Sequence, residues 1–342
     1  MYRSCTLCPR NCQVNRAAGK TGFCGMPATV QVARASLHMW EEPCISGING
    51  SGTVFFTGCN LKCVFCQNHS IALGGKGKEV SVEKLAELFL MLQEKGAHNI
   101  NLVTPSHYIP GIAQSLCLAK DQGLTVPIVY NTSGYDSVNS LALLEGLVDI
   151  YLPDFKYVSD QLSRRYSHAP DYFQVAKESL AEMFRQVGDP VFEDFLPDDA
   201  KASLGIAFNT GSDTTSGASS DTVSEIASDT DCEADSPANI TLMKRGIIVR
   251  HLLLPGCVED SKAVIRYLYE TYGNDIFISI MNQYTSLPHV AAYPELNRKV
   301  TEAEYDEVVD YAIDLGVEQG FIQEGDTAQE SFIPEFDFTG LL

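Results

Sequence analysis

An α/β fold built on a parallel sheet is what this 342-residue chain predicts. Two observations carry the expectation. Six β-branched and aromatic runs alternate with six helical patterns, and each run leads towards a helix. That order fits parallel strands joined by right-handed crossovers. Spacing alone does not separate an open doubly wound sheet from a barrel. The length suits one large α/β domain with appendages, or two smaller domains.

Residues 1–25 form a cysteine-rich lead, too short and glycine-punctuated to build an apolar core of its own, so a metal would be a natural staple. Residues 30–50 read as a strand and a loop leading inward. Regular alternation begins at residue 53. Strands are expected at Thr53–Thr57, Asn99–Thr104, Val126–Asn131, Val148–Phe155, Gly246–Leu254 and Asp275–Met281. Helical patterns lie at 81–95, 110–121, 137–145, 171–187, 259–272 and 301–315. Ser81 and Lys84 flank a helix start, and Thr301-Glu302-Ala303-Glu304 fits a capping box.

One insertion breaks the rhythm. Residues 189–240 hold twelve acidic residues against Lys201 alone, so this stretch carries more than half of the chain's net charge of −20. Few apolar residues and one-sided charge leave too little burial to offset chain entropy, and disorder is expected there. A phosphorylatable or partner-binding tether is the functional alternative. The rest of the chain is only mildly acidic. That balance argues against nonspecific nucleic-acid binding, and no run approaches the length of a membrane-spanning helix. A reducing, cytoplasmic setting is expected, in which eleven cysteines stay as thiols and clustered ones invite metal.

The most informative run is Phe55-Phe56-Thr57-Gly58-Cys59-Asn60-Leu61-Lys62-Cys63-Val64-Phe65-Cys66-Gln67-Asn68. Cys59, Cys63 and Cys66, in C-x3-C-x2-C spacing just after a strand, converge three thiolates from one short loop. Three thiolates hold three irons of a [4Fe-4S] cluster and leave the fourth without a protein ligand. An open iron is a place for chemistry, whereas four ligands better suit an electron carrier. Cys5, Cys8, Cys12 and Cys24 make a four-thiolate set that suits zinc or a second iron–sulfur cluster, with Cys44 able to replace one of them. Cys117 and Cys257 sit in apolar contexts and read as core residues; Cys232 reads as a bystander within the insertion.

This signature resembles that of the radical S-adenosylmethionine (SAM) enzymes. The order cysteine-rich lead, Glu-Glu-Pro, Gly-Cys-Asn-Leu-x-Cys-Val-Phe-Cys-Gln-Asn, Asn-Leu-Val-Thr-Pro, Arg-His-Leu and Gly-Phe-Ile-Gln-Glu-Gly is similar to an uncharacterised group related to pyruvate formate-lyase activating enzyme. The resemblance implies a partial (β/α)6 radical SAM barrel at residues 51–324, preceded by a metal-binding extension at 1–50 and followed by a tail at 325–342. It also implies a [4Fe-4S] cluster and SAM as cofactors, and a reduced flavodoxin- or ferredoxin-like electron donor as a partner. In that chemistry reductive cleavage of SAM yields a 5′-deoxyadenosyl radical that abstracts hydrogen. The substrate would be a glycine of a partner enzyme in the activase-like reading, or a small molecule or peptide in another. A non-catalytic iron–sulfur or zinc protein is the third reading.

In such barrels ligands sit at the C-terminal strand ends. Thr104-Pro105-Ser106-His107 stands where many relatives have Gly-Gly-Glu-Pro to receive the SAM amino group. Thr104 and backbone carbonyls are expected to accept from the ammonium, and His107 either faces substrate or caps the loop. Asn131, Thr132 and Ser133 resemble the activases' Asp-Thr-Asn-Gly stretch and suit a ribose diol, unless they form an ordinary turn. Asp154 and Lys156, two apart on a strand, share a side by alternation and are expected inside, for SAM or as a structural ion pair. Arg250 is expected to clamp the SAM carboxylate, with His251 pointing the other way. Ser279, Met281, Asn282, Gln283 and Tyr284 are assigned to the adenine or substrate side.

Overall fold

The computed structural model describes residues 1–195, 240–323 and 334–341. Its sheet begins inside the extension expected at 1–50, with β1 (Val30–His38). A short helix α1 (Pro43–Ser46) leads to β2 (Ser51–Phe56), which pairs antiparallel with β1. The cysteine loop and α2 (His69–Ala72) follow, then β3 (Lys78–Val80), which runs antiparallel on the other side of β1.

The parallel strands β2, β4, β5 and β6 are buried almost throughout, and each leads on to a helix. The units are α3 (Val82–Glu94), β4 (Ile100–Val103), α4 (Ile109–Asp121), β5 (Ile128–Thr132), α5 (Val138–Leu141) and β6 (Ile150–Pro153). Two helices, α6 (Asp160–Ser167) and α7 (Tyr172–Val187), precede a hairpin of β7 (Val191–Phe195) with β8 (Ile240–Leu252). Helix α8 (Val258–Tyr272), β9 (Phe277–Met281), α9 (Glu302–Leu315) and β10 (Gly320–Ile322) complete the order.

The main sheet runs β10-β9-β8-β6-β5-β4-β2-β1-β3, and the seven strands from β10 to β2 are parallel. All residues of β2, β4 and β6 are buried, as expected for strands covered on both faces. Helix α3 shows how the cover is made. Its Leu85, Ala86, Leu88, Phe89 and Leu92 form one apolar stripe, and the Ser81 hydroxyl accepts from the Lys84 N–H at its start. The fold is the α/β, open parallel sheet expected as a partial barrel: all six expected core strands lie side by side in it.

Several expectations change. The disorder expected over 189–240 does not extend to its ends, because Val191–Phe195 pairs with β8 in an antiparallel ladder beginning at Ile240. Cross-strand pairing outweighs the acidic composition there; the rest of that insertion, with Cys232, lies outside the described residues. The stretch 325–342 was expected as a tail, yet its described part docks on β1. Phe338 and Ala35 exchange backbone bonds with the opposite segment, and Phe336 is buried with Phe55, Ile71 and Val103. Helix α6 and strand β10 escape the sequence reading, the first for its polar composition and the second for its three-residue length. No helix among the described residues is long and apolar enough to cross a membrane.

Candidate functional site

Pairing registers bring the C-terminal ends of the parallel strands to one rim. Val103 faces Asn131, Thr132 faces Pro153, Asp154 bridges to Arg250, and Arg250 faces Ser279. A cavity of about 380 Å³ opens at this rim. Cys59, Cys63, Cys66, Thr104, Asn131, Thr132, Ser133, Asp154, Lys156 and Arg250 all line it, as do Ser279, Met281 and Gln283. Of these, Cys59 and Gln283, 224 positions apart in sequence, share one chamber.

The cysteine loop starts at Gly58, whose φ of +88° and crowded surroundings admit no side chain: a Cβ would lie 2.3 Å from Met26 Cγ. Lys62 also takes a positive φ, of 54°, within the loop. Cys59 and Cys63 are buried and Cys66 is half-buried. The Leu61 N–H donates to Cys59 Sγ at 3.3 Å, the Asn68 N–H bonds Cys66, and the Ser167 hydroxyl donates to Cys63 Sγ at 2.9 Å. Burial pushes the Cys63 thiol up to about 11, against the pull of Lys156. Burial and the neighbouring charges of Cys59 and Cys63 raise Cys66 as well. Thiolates packed this closely repel one another, and a bound metal cation would offset that repulsion. Their donor chemistry, amide support and adjoining cavity fit an iron–sulfur cluster held by Cys59, Cys63 and Cys66.

The polar wall is pre-organised. Thr104 adopts φ +60°, a left-handed conformation costly for a β-branched residue, and its N–H donates to the Asn131 carbonyl at 2.9 Å. Gly134, at φ +73°, lets the next turn approach the Asp154 carbonyl, where a Cβ would sit at 2.2 Å. The Thr132 hydroxyl donates to Asp136 at 2.6 Å and the Tyr130 hydroxyl donates to it at 3.0 Å. Thr132 thereby anchors the strand end to a buried carboxylate whose pKa burial raises. Asn131 and Ser133 remain half-exposed to the chamber.

Asp154 and Lys156 meet on one side, as alternation predicts, with Nζ 2.5 Å from Oδ2. Burial works against the Lys156 charge, but Asp154 and the nearby Cys63 outweigh it and hold its pKa above the ordinary lysine value. Arg250 stands differently from the expected free clamp. Its Nε donates to Glu42 Oε1 at 2.8 Å and its Nη2 to Glu42 Oε2 at 2.5 Å, and Glu41 takes Nη2 as well. Burial opposes ionisation of Glu42, yet the guanidinium keeps its pKa below the usual carboxylate value. Glu41 and Glu42 were given no role from sequence; an acidic pair before Pro43 was their only signal.

Other assignments are corrected. His107 does not face the chamber: it is buried, its Nε2 donates to the Thr57 carbonyl at 2.7 Å, and burial lowers its pKa to about 3. Tyr284 turns into the core, with its hydroxyl donating to the Leu296 carbonyl, and neither it nor Asn282 lines the cavity. His251 does point away, donating from Nδ1 to the Phe155 carbonyl and accepting at Nε2 from Ser261. Cys117 is exposed rather than in the core. Leu116 takes the inward position on α4, and the next residue is rotated about 100° away. Cys257 is half-buried. Cys44 packs with Ile45, Val129 and Ile150 in a separate core cluster, so it is no substitute for the amino-terminal cysteines.

Those four, Cys5, Cys8, Cys12 and Cys24, lie in one lobe outside the sheet, with Cys5 and Cys24 buried and Cys8 and Cys12 half-buried. Burial pushes the Cys8 thiol up to about 12, with the charges of Cys24, Cys12 and Cys5 adding to it. The lobe grips the cysteine loop through Arg10, whose Nε donates to the Asn60 carbonyl at 2.7 Å and whose guanidinium lies 3.9 Å from the Phe23 ring centroid.

Comparison with known proteins places this chamber in context. Residues 53–191 match the family model described as the Radical SAM superfamily. An uncharacterized protein of Methanocaldococcus jannaschii is 23% identical over 321 residues, 91% of this chain and 75% of that one. Among solved structures, methylornithine synthase (PylB) is 11% identical with a TM-score of 0.44, covering 76% of this chain and 63% of that one. Streptococcus suis SuiB bound to S-adenosylmethionine is 10% identical, TM-score 0.47, with 79% and 49% covered. HydG, a maturase of the [FeFe]-hydrogenase, is 12% identical, TM-score 0.44, with 80% and 52% covered. This chain spans less than two thirds of the length of each of these solved structures.

Proposed function

We propose that this chain is a radical SAM enzyme that cleaves SAM reductively and abstracts hydrogen from a substrate, a reading that the family match over residues 53–191 supports. When bound, a [4Fe-4S] cluster with one open iron holds SAM and supplies the electron that splits its sulfonium. The observation that carries the reading is the convergence of Cys59, Cys63 and Cys66 with seven polar residues from four other strand ends on one cavity.

Each residue has a part that its geometry supports. Cys59, Cys63 and Cys66 would hold a cluster through three of its irons, and the Lys156 ammonium beside Cys63 and Cys66 would offset thiolate charge. Asn131 and Ser133 offer amide and hydroxyl groups to a ribose. Thr104, strained at the rim, turns its backbone towards an ammonium group. Arg250, already saturated by Glu41 and Glu42, orients those carboxylates as acceptors rather than binding a carboxylate itself. Phe55, Phe56, Phe65 and Met281 give the chamber apolar walls that exclude water from a reactive radical. A glycine of a partner protein is the substrate in the activase-like reading, with a reduced flavodoxin- or ferredoxin-like protein as electron source.

Anaerobic reconstitution with iron and sulfide, followed by electron paramagnetic resonance (EPR), tests the core of this. SAM should shift the reduced-cluster spectrum, and 5′-deoxyadenosine should accumulate under reductant. A spectrum indifferent to SAM, with no deoxyadenosine, overturns the proposal. Deuterium transfer into deoxyadenosine from a glycine-labelled partner protein separates the activase-like reading from a small-molecule or peptide substrate.

A further inference from the structure

We propose that Cys5, Cys8, Cys12 and Cys24 bind a second iron–sulfur cluster, of the [4Fe-4S] class and ligated by cysteine at every iron. Its location is the lobe that covers the outer side of the first cysteine loop.

The lobe's backbone is built around its sulfurs. The Cys5 N–H donates to the Val14 carbonyl at 3.0 Å and the Gln13 N–H returns to the Cys5 carbonyl at 2.9 Å, closing a loop that carries Cys8 and Cys12. Asn11 and Gln13, on either side of Cys12, both take positive φ, 42° and 54°. Residues other than glycine rarely accept that conformation without a reason. Gly22 brings the second segment against Cys12, so closely that a Cβ would lie 2.7 Å from Cys12 Sγ.

Every sulfur of the set receives a hydrogen-bond donor. The Phe23 N–H donates to Cys12 at 3.4 Å and the Arg16 guanidinium to Cys5 at 3.8 Å. The Arg10 and Met26 amides bond Cys8 and Cys24. In Cys8 and Cys24 the donor is two residues downstream, as it is for Cys59 with Leu61 and Cys66 with Asn68. A neutral thiol is a weak acceptor, and such donors gain strength when the sulfur is anionic.

Arg16 supplies the second, independent sign. It is only 1% exposed, and its guanidinium donates to the Met26, Pro27 and His107 carbonyls and to Cys5 Sγ. No carboxylate pairs with it among the described residues; beyond those acceptors it meets only the Tyr2 and Tyr108 rings, at 5.0 and 5.6 Å, and a buried cation without an anion is costly. A set of four thiolates around iron carries the negative charge that this site lacks.

The donor pattern shared with Cys59 and Cys66, an N–H two residues downstream of the sulfur, favours a cluster over a single zinc ion. The amino-terminal set differs from Cys59, Cys63 and Cys66 in having a fourth cysteine, which would ligate the iron that those three leave open. The lobe abuts the first loop directly, since a Cβ on Gly58 would lie 3.1 Å from the Cys24 carbonyl.

Metal analysis of the anaerobically reconstituted full chain, alongside EPR, is the test. The wild-type chain should hold about eight irons and eight sulfides, and the Cys59→Ala/Cys63→Ala/Cys66→Ala variant about four. The reduced signal left in that variant should not move when SAM is added. Cys8→Ser/Cys12→Ser, which alters only half-buried positions, should also fall to about four irons and keep the SAM-responsive signal. One zinc per chain lost with Cys8 and Cys12, or wild-type iron near four that vanishes with Cys59, Cys63 and Cys66, overturns this inference. Iron retained without those three cysteines, yet never responsive to SAM in the wild type, instead leaves this inference standing and removes the proposed function.

Discussion

Cys63 is the residue at which the proposed chemistry is most exposed to test. It sits on a loop, so Cys63→Ala should abolish deoxyadenosine formation while the far-ultraviolet circular dichroism of the soluble chain stays unchanged. Full cleavage activity in that variant contradicts the cluster assignment. Gly58→Ala probes the same loop sterically. Positive φ and the 2.3 Å approach of Met26 should together cost at least ~1 kcal/mol in denaturant unfolding and reduce iron loading. The triplet itself was legible because its three donors fall within eight residues and need no tertiary knowledge. Asp154 and Lys156 were legible for a related reason, as strand alternation determines their common side. Arg250 was located but its partners were not, because Glu42 is 208 residues away in sequence.

Helices and strands obey local periodicity, and at this scale the sequence reading is closest to the structure. Helix α3 starts at its expected Ser81 cap, and α9 carries the expected capping box, with the Thr301 hydroxyl and the Glu304 carboxylate bonding each other's backbone N–H. Ser81→Ala should therefore lower unfolding free energy by ~1 kcal/mol without changing the EPR response to SAM. An unchanged denaturation midpoint shows that the cap contributes nothing. The elements missed share a physical feature. Polar α6 is held in place by neighbours, such as the Asp260 carboxylate that receives the Ser159 N–H at 2.7 Å, rather than by an apolar stripe of its own. Edge strand β10 gains its identity only from pairing with β9.

Across the whole molecule, two buried neutral histidines couple the fold to pH. Burial lowers His107 to about 3 and His251 to about 4, whereas both titrate near 6.5 when unfolded. Between those values the unfolded chain binds more protons than the folded one, so stability falls as pH drops from 6.5. Each histidine contributes ~1.6 kcal/mol of that loss between pH 6.5 and 5. Urea unfolding over this range should show the slope, and His251→Gln should flatten it. A wild-type stability independent of pH here means that the two rings are not held neutral.

Taken alone, the sequence determined the order of six core strands and their helices, the cysteine triplet and the side shared by Asp154 and Lys156. Those properties follow from periods of two and 3.6 residues and from spacings within a single loop. Only the tertiary structure decided that Glu41 and Glu42 saturate Arg250, that His107 is buried beneath the amino-terminal lobe, that Cys117 faces solvent and that residues 334–341 lie along β1. Those outcomes depend on strand register and on packing between segments far apart in the chain, which no local pattern encodes.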